Sequence, residues 1–167
     1  MLVYLEDKST FNEDILGNII EEKILSLVEE KLGHSVGENE VRSWKNSLGY
    51  MDRVLNDDAI PDNAGIAIEY NIPQTSKRID FIITGKTTNE HNAAVIIELK
   101  QWEQIELTTK DAIVSTYVGG GIREVLHPSY QAWTYAALLK DFNEEARADD
   151  VSLHPCAYLH NCEVEDV

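Results

Sequence analysis

The strongest constraint on the fold is the alternation of apolar residues that begins near residue 65. Apolar side chains recur at every second position in GIAIEYNIP (65–73) and again in KRIDFIITG (77–85). Alternation of this kind is typical of β-strands that bury one face. Only the short link PQTSK separates the two stretches. They are therefore predicted to pair as an antiparallel hairpin.

Further strands and a helix are predicted downstream of this hairpin. AAVIIELKQW (93–102) is an apolar run that ends in an acid and a base, and AIVSTYV (112–118) forms another β-prone stretch before three glycines at 119–121. Pro128 marks a helix start, since proline is favoured in the first helical turn. SLHPCAYLHN (152–161) completes the pattern as a last strand.

The N-terminal third has helical spacing instead. Thr10 and Glu13 have the form of a capping box, and apolar residues recur every four or five positions up to Leu32. A second helix is expected over residues 41–55. The predicted order is α, α, β, β, β, β, α, β, with two helices over 10–56 and the sheet and last helix over 65–162. This is an α/β (α+β) chain of one domain, 1–167, with a mixed sheet flanked by helices.

The charge is strongly acidic but unevenly distributed. The 167 residues carry a formal net charge of −16, which argues against a basic nucleic-acid-binding surface. Residues 1–60 hold 13 acids and 6 bases and residues 141–167 hold 8 acids and 1 base, whereas 61–140 hold 9 acids and 7 bases. The central segment is therefore nearly neutral, and a nucleic-acid partner is not excluded.

The same composition predicts a cytoplasmic protein. No apolar stretch is long enough to span a bilayer, and the N-terminus lacks the pattern of a signal peptide. Cys156 and Cys162 would lie roughly 20 Å apart on an extended chain, beyond disulfide reach, so free thiols are expected. Together with His154 and His160 they superficially resemble a zinc set, but on a strand the four side chains would spread along one face.

Three residues on two predicted strands carry a candidate chemistry. Glu98 and Lys100 lie two positions apart on one strand, so they share a face with Cα atoms roughly 6.6 Å apart. Asp80 ends a similar apolar run on the preceding strand. If these strands are neighbours, the two carboxylates can converge on one ion. Two carboxylates, a main-chain carbonyl and water are the oxygen ligands that Mg²⁺ prefers.

This arrangement resembles the PD-(D/E)XK nuclease superfamily. The matching residues are Asp80 in RIDF and Glu98-Leu99-Lys100 in IIELK, and Gln131 with Tyr135 in PSYQAWTYAALL forms the Q-x-x-x-Y motif of the RecB-like branch. The resemblance implies a restriction-endonuclease-like core and hydrolysis of phosphodiester bonds in DNA, with RNA as the alternative, using Mg²⁺ or Mn²⁺. It implies these catalytic residues: Asp80, Glu98, Lys100, Gln131 and Tyr135. The implied metal ligands are Asp80, Glu98 and the Leu99 main-chain carbonyl.

The resemblance extends over most of the chain. ENEVRSWKNSL, IAIEYNIPQTSKRIDF, IIELKQW and GGGIREVLHPSYQAW together resemble the N-terminal nuclease-like module that precedes a Schlafen-type P-loop helicase in bacterial proteins. The chain contains no G-x-x-x-x-G-K-[ST] motif, so it is not the motor itself. The implied partners are nucleic acid and a P-loop helicase, as a C-terminal or a separate domain.

Several residues are secondary candidates for the site. Superfamily members often add a helix-borne glutamate to the metal ligands, and Glu40 is the first candidate here, Glu69 the second, with Glu21 and Glu22 as further ones. Residues expected to contact nucleic acid are Arg78, Lys110, Gly120, Arg123 and Tyr135.

Simpler interpretations stay open at this point. Glu98 and Lys100 could form an ion pair at a strand end, the glycines a plain turn, and the three tryptophans core anchors. Two other functions remain as alternatives: a nucleic-acid-binding module of the same fold that does not cleave, and an acidic protein-interaction domain.

Overall fold

The computed structural model describes residues 3–32, 37–142 and 151–163. Four helices and eight strands occur in these ranges. In chain order they are β1 (Tyr4–Asp7), α1 (Lys8–Leu16), α2 (Ile20–Leu32), α3 (Glu38–Leu55), β2 (Gly65–Asn71), β3 (Arg78–Lys86), β4 (Asn92–Lys100), β5 (Glu106–Leu107), β6 (Ile113–Val118), β7 (Gly121–Leu126), α4 (Pro128–Phe142) and β8 (Ser152–Leu159).

The main sheet has five strands in the order β1-β2-β3-β4-β8. The first four pair antiparallel, and β8 lies parallel to β4. This mixed sheet with flanking helices confirms the predicted α+β class, and it confirms the β2–β3 hairpin. β3 and β4 are neighbours, which meets the condition that the sequence set for Asp80 and Glu98 to converge. The α4 helix begins at Pro128, as predicted.

β5, β6 and β7 form a second sheet, and none of its described strands pairs with a strand of the main sheet. The strand predicted over 112–118 is β6, which belongs to this sheet. Gly121 begins β7, and Gly119 and Gly120 form the turn between β6 and β7, with φ of 59° and 83°. Their left-handed backbone suits glycine, which lacks a Cβ. Among the described strands, β1, β5 and β7 were not predicted.

The first predicted helix is divided into two. The structure breaks it between Leu16 and Ile20, where Asn18 has φ of 52°, a left-handed conformation that ends α1. The capping box at Thr10 was also wrong. The N-cap is Asp7, whose carboxylate accepts a hydrogen bond from the Thr10 main-chain N–H at 2.8 Å.

Two apolar layers cover opposite faces of the main sheet. One joins α1, α2 and α3 to the sheet, and Phe11 packs edge-to-face on Phe81 within it, with ring centroids 5.6 Å apart. The other joins α4 to the sheet through Tyr135, Ala136 and Leu139. Each layer shields one face, which leaves the ends of the strands for polar groups.

The alternation of the two faces is interrupted near residues 69 and 80. On β3, Phe81 belongs to the layer with α1–α3, yet Ile79, two positions earlier, belongs to the layer with α4. On β2, opposite this point, Glu69 has φ of 57°, which is uncommon for a residue with a side chain. The backbone irregularity therefore lies where the polar residues of the two strands meet.

The tryptophans and the remaining expectations have mixed outcomes. Trp44 is buried in the core as expected, but Trp133 is 56% exposed on α4, so its assignment to the core was wrong. Cys156 and Cys162 are free thiols, as predicted. Over the described ranges, no helix is both long and apolar enough to cross a membrane.

Candidate functional site

The two carboxylates of the predicted motif meet at one end of the β3–β4 pair. Phe81 pairs with Ile97, and continuing this antiparallel register by one residue sets Asp80 opposite Glu98. Asp80 Oδ2 accepts a hydrogen bond from the main-chain N–H of Leu99 at 2.9 Å, which fixes its side chain against β4. Two acids are therefore held side by side where the buried strands end.

Glu98 is the centre of a hydrogen-bonded cluster. Its side chain is 3% exposed, and Oε1 accepts from Lys100 Nζ at 2.5 Å and from Gln131 Nε2 at 2.6 Å. Oε2 is buried as well, but no donor among the described residues reaches it. Burying an unsatisfied carboxylate oxygen is costly, so Oε2 is the oxygen of this cluster that best fits a cation ligand.

Gln131 and Tyr135 bind each other as well as the carboxylate. The Gln131 amide donates its second hydrogen to Tyr135 Oη at 2.8 Å, because a spacing of four brings the two onto one face of α4. Tyr135 is 6% exposed and packs in the α4 layer. Its hydroxyl thus orients the amide of Gln131, and its ring is covered rather than open for stacking.

Burial perturbs the protonation of both acids. Burial, and then the neighbouring Asp80 charge, raise the pKa of Glu98 to about 7, although Lys100 opposes the shift. The pKa of Asp80 is raised by burial, against the opposing effect of the Leu99 N–H and of Lys100. Burial and then the charge of Glu98 raise the pKa of Tyr135. The acid pair therefore holds protons more strongly than exposed carboxylates do.

Two further glutamates and an arginine border the acid pair. Arg78 forms an ion pair through Nε with Glu69 Oε2, and its Nη2 donates to Glu40 Oε1 at 2.8 Å. Trp44 Nε1 donates to Glu69 Oε1 at 2.6 Å. These residues and Asp80 line a cavity of about 220 Å³, which we call the acid cavity. Glu40 and Glu69, the two candidates for a third metal ligand, are therefore both bound to Arg78.

Removing Arg78 is expected to destabilise the protein in a pH-dependent way. Burial raises the pKa of Glu69 to about 7 against the effect of Arg78, so Arg78→Ala leaves a buried, uncompensated charge at pH 8. We expect a loss of roughly 2 kcal/mol in the free energy of unfolding, below the usual cost of breaking a buried pair because Arg78 is partly exposed. The loss should shrink at pH 6, where Glu69 takes up a proton.

Urea unfolding at the two pH values measures this effect. Adding Glu69→Gln to Arg78→Ala should recover part of the loss, and the exposed Arg42→Ala, which lies on α3, is the control with little change. An equal loss at both pH values would contradict the role given to Glu69.

The other predicted nucleic-acid contacts lie in or beside the three-stranded sheet. Lys110 forms an ion pair with Glu124, and Arg123 Nη2 donates to the Gly119 carbonyl at 3.3 Å in the glycine turn. Gly120 is exposed in the same turn. Glu21, one of the weaker metal candidates on α2, has its Oε1 3.8 Å from Lys45 Nζ. None of these contacts links its residue to the acid pair.

A polar network that the sequence did not reveal holds the end of β4. Gln101 Nε2 donates to Ser43 Oγ at 2.8 Å and to Ser47 Oγ at 3.3 Å, and Ser47 Oγ lies 3.1 Å from His160 Nε2. The main-chain N–H of His160 donates to the Lys100 carbonyl at 3.2 Å. The network anchors the backbone of Lys100 to α3 and to the end of β8. Its only sequence signal is the pair of serines four residues apart on one helical face.

The donor set of the acid pair fits a hard divalent cation. Over residues 3–32, 37–142 and 151–163, no group of three or more His, Cys, Asp or Glu side chains could hold a metal. Mg²⁺ does not need such a cage, since it commonly uses one or two carboxylates and keeps several waters. Asp80 and the buried Oε2 of Glu98 meet that need, and the Leu99 carbonyl is the nearby main-chain candidate.

Comparison with known proteins gave no relatives. A scan against protein-family models, a search of curated proteins and a search of solved structures each found no match.

Proposed function

We propose that this protein is a Mg²⁺- or Mn²⁺-dependent nuclease of the PD-(D/E)XK type, in the RecB-like branch. The observation that carries the proposal is one hydrogen-bonded chain that runs from Lys100 through Glu98 and Gln131 to Tyr135, with Asp80 beside it. These residues come from three separate elements, and they are the ones that the resemblance singles out.

Each residue has a distinct role in the proposed reaction. Asp80 and Glu98 would hold the metal with the Leu99 carbonyl, and the bound ion would supply an activated water and offset charge on the phosphate. Gln131 and Lys100 both donate to Glu98 Oε1, which leaves Oε2 as the oxygen that would ligate a cation, and Tyr135 orients Gln131. The Lys100 ammonium is positioned to orient the attacking water and to stabilise the charge that develops on the phosphate.

Nucleic acid and a P-loop helicase remain the proposed partners. The near-neutral charge of residues 61–140 is compatible with a nucleic-acid contact on this part of the chain, because the acid excess lies towards both ends. DNA is the proposed substrate, with RNA as the alternative. The helicase partner rests on the resemblance to bacterial proteins in which a P-loop helicase follows the nuclease-like module.

One observation favours a second function, that of a nucleic-acid-binding module that does not cleave. Glu40 and Glu69 are both engaged by Arg78, and the described residues provide no third carboxylate to the acid pair. A weakened metal site would leave binding without hydrolysis.

A cleavage assay separates the two functions. Labelled single- and double-stranded DNA and RNA would be incubated with Mg²⁺, Mn²⁺ or EDTA, and cleavage only in the presence of metal is expected. Asp80→Asn protein purified in the same way is the control for a contaminating nuclease. Binding without cleavage under every condition would reject the nuclease and retain the binding module.

A further inference from the structure

A second cavity opens between the segment that follows β4 and the three-stranded sheet. Its volume is about 500 Å³, and we call it the aromatic cavity. The segment after Lys100 forms one wall through Trp102, and β6 and β7 form the other through Tyr117 and Ile122. The Lys100 ammonium lies 5.9 Å from the centroid of the Trp102 ring, so Lys100 connects the two sites.

The walls expose large side chains that a sheet ordinarily covers. Tyr117 is 67% exposed and its cross-strand partner Ile122 is 77% exposed. Trp102 is half-buried and faces the same cavity. Adjacent exposed apolar side chains around a concave surface indicate a binding site. Two aromatic rings favour a flat ring as the ligand, because aromatic side chains stack on such surfaces.

The polar groups of the aromatic cavity disfavour a phosphate. Glu103 and Glu106 contribute carboxylates to the lining, and none of the described Lys or Arg residues contributes to it. These charges repel an anion but accept hydrogen bonds from amino groups. The exposed amide of Gln104 adds a donor and an acceptor. A neutral heteroaromatic ring that carries an amino group matches this lining.

We propose that the aromatic cavity binds an unpaired nucleobase of the strand whose phosphate reaches Lys100. This inference rests on the proposed nuclease function and deepens it, since it names the substrate class. A base inside a duplex is paired and stacked, so it cannot enter such a cavity without being extruded. The substrate is therefore single-stranded nucleic acid, or a duplex end that has opened.

Binding measurements with a base-free probe test this proposal. Fluorescence anisotropy would follow a short single-stranded deoxycytidine oligonucleotide, its duplex, and an abasic strand of the same length, with Ca²⁺ and again with EDTA. Cytosine carries the amino group that the carboxylates can accept. Tyr117→Ala should weaken binding of the deoxycytidine oligonucleotide roughly tenfold or more and leave binding of the abasic strand unchanged. Tyr117→Phe should keep the wild-type affinity.

The matched control is Leu107→Ala, which removes an exposed apolar side chain from the same sheet outside the lining. It should change neither affinity. The proposal would be overturned if Tyr117→Ala weakened binding of the deoxycytidine oligonucleotide and of the abasic strand equally. It would also be overturned if the duplex bound more tightly than the single strand, or if the deoxycytidine oligonucleotide did not bind. Metal-dependent cleavage without a Tyr117 effect would reject the base site and retain the nuclease. Tyr117-dependent binding without cleavage would retain the base site and reject the nuclease.

Discussion

Replacing Lys100 by methionine is expected to slow metal-dependent cleavage by about 100-fold or more, the usual effect of removing one group that stabilises a charged transition state. The ammonium is held by Glu98 Oε1 at 2.5 Å and lies near Trp102, so its position is set before substrate binds. Methionine keeps the length of the side chain without its charge. The cleavage rate under single-turnover conditions measures the loss.

Asp80→Asn distinguishes the role of the lysine from that of the carboxylates. Lys100→Met should retain Mn²⁺ binding, followed by electron paramagnetic resonance, because the ammonium competes with a cation and does not ligate one. Asp80→Asn should lose both Mn²⁺ binding and cleavage. Lys77→Met, at the β2–β3 turn, is the control for the loss of a positive charge. A Lys100→Met protein that cleaves at the wild-type rate would remove Lys100 from the mechanism.

The sequence predicted those parts of the fold whose burial leaves a regular pattern. Apolar residues alternate in the sequences of β2 and β3 and their connection is short, which was sufficient to predict that these two strands pair. The apolar run of β4 was sufficient to predict a strand there. β1, β5 and β7 have four, two and six residues, and most of their side chains are exposed or only half-buried, so no pattern marks them. The division of α1 from α2 depends on one left-handed residue, Asn18, within an otherwise helical spacing.

The candidate site also has a part that the sequence predicted and a part that it did not. The sequence predicted that Asp80 and Glu98 would converge if their strands were neighbours, but the expectation that Asp80 ends an apolar run was wrong, because Asp80 lies near the start of β3. The spacing of Gln131 and Tyr135 predicted their common helical face. The binding of Arg78 by Glu69 and Glu40 could not be predicted, since it depends on a left-handed glutamate and on the approach of α3 to the sheet. Tertiary contacts of this kind leave no period in the chain.

Replacing Glu98 by glutamine is expected to stabilise the metal-free protein at pH 8 and to reduce the pH dependence of its stability. The pKa of Glu98 is raised by burial from 4.5 to about 7, so the folded state holds a proton that the unfolded chain releases. Stability from this group is complete below about pH 4.5 and is lost as the pH rises through about 7. The free energy of unfolding should rise by roughly 2 kcal/mol for Glu98→Gln at pH 8. This value belongs to the pair of acids, because Glu98 and Asp80 titrate together.

Urea unfolding of both proteins at pH 5 and pH 8, with EDTA and with Mg²⁺, separates the proton from the metal. Mg²⁺ should stabilise the wild type more at pH 8 than at pH 5, because the cation and the proton compete for the same oxygens, and it should not stabilise Glu98→Gln. Glu103→Gln, an exposed glutamate just beyond β4, is the control with little change. If Mg²⁺ stabilised both proteins equally, the cation would bind elsewhere. If their pH dependence were the same, the buried Oε2 would not be the atom that takes up the proton.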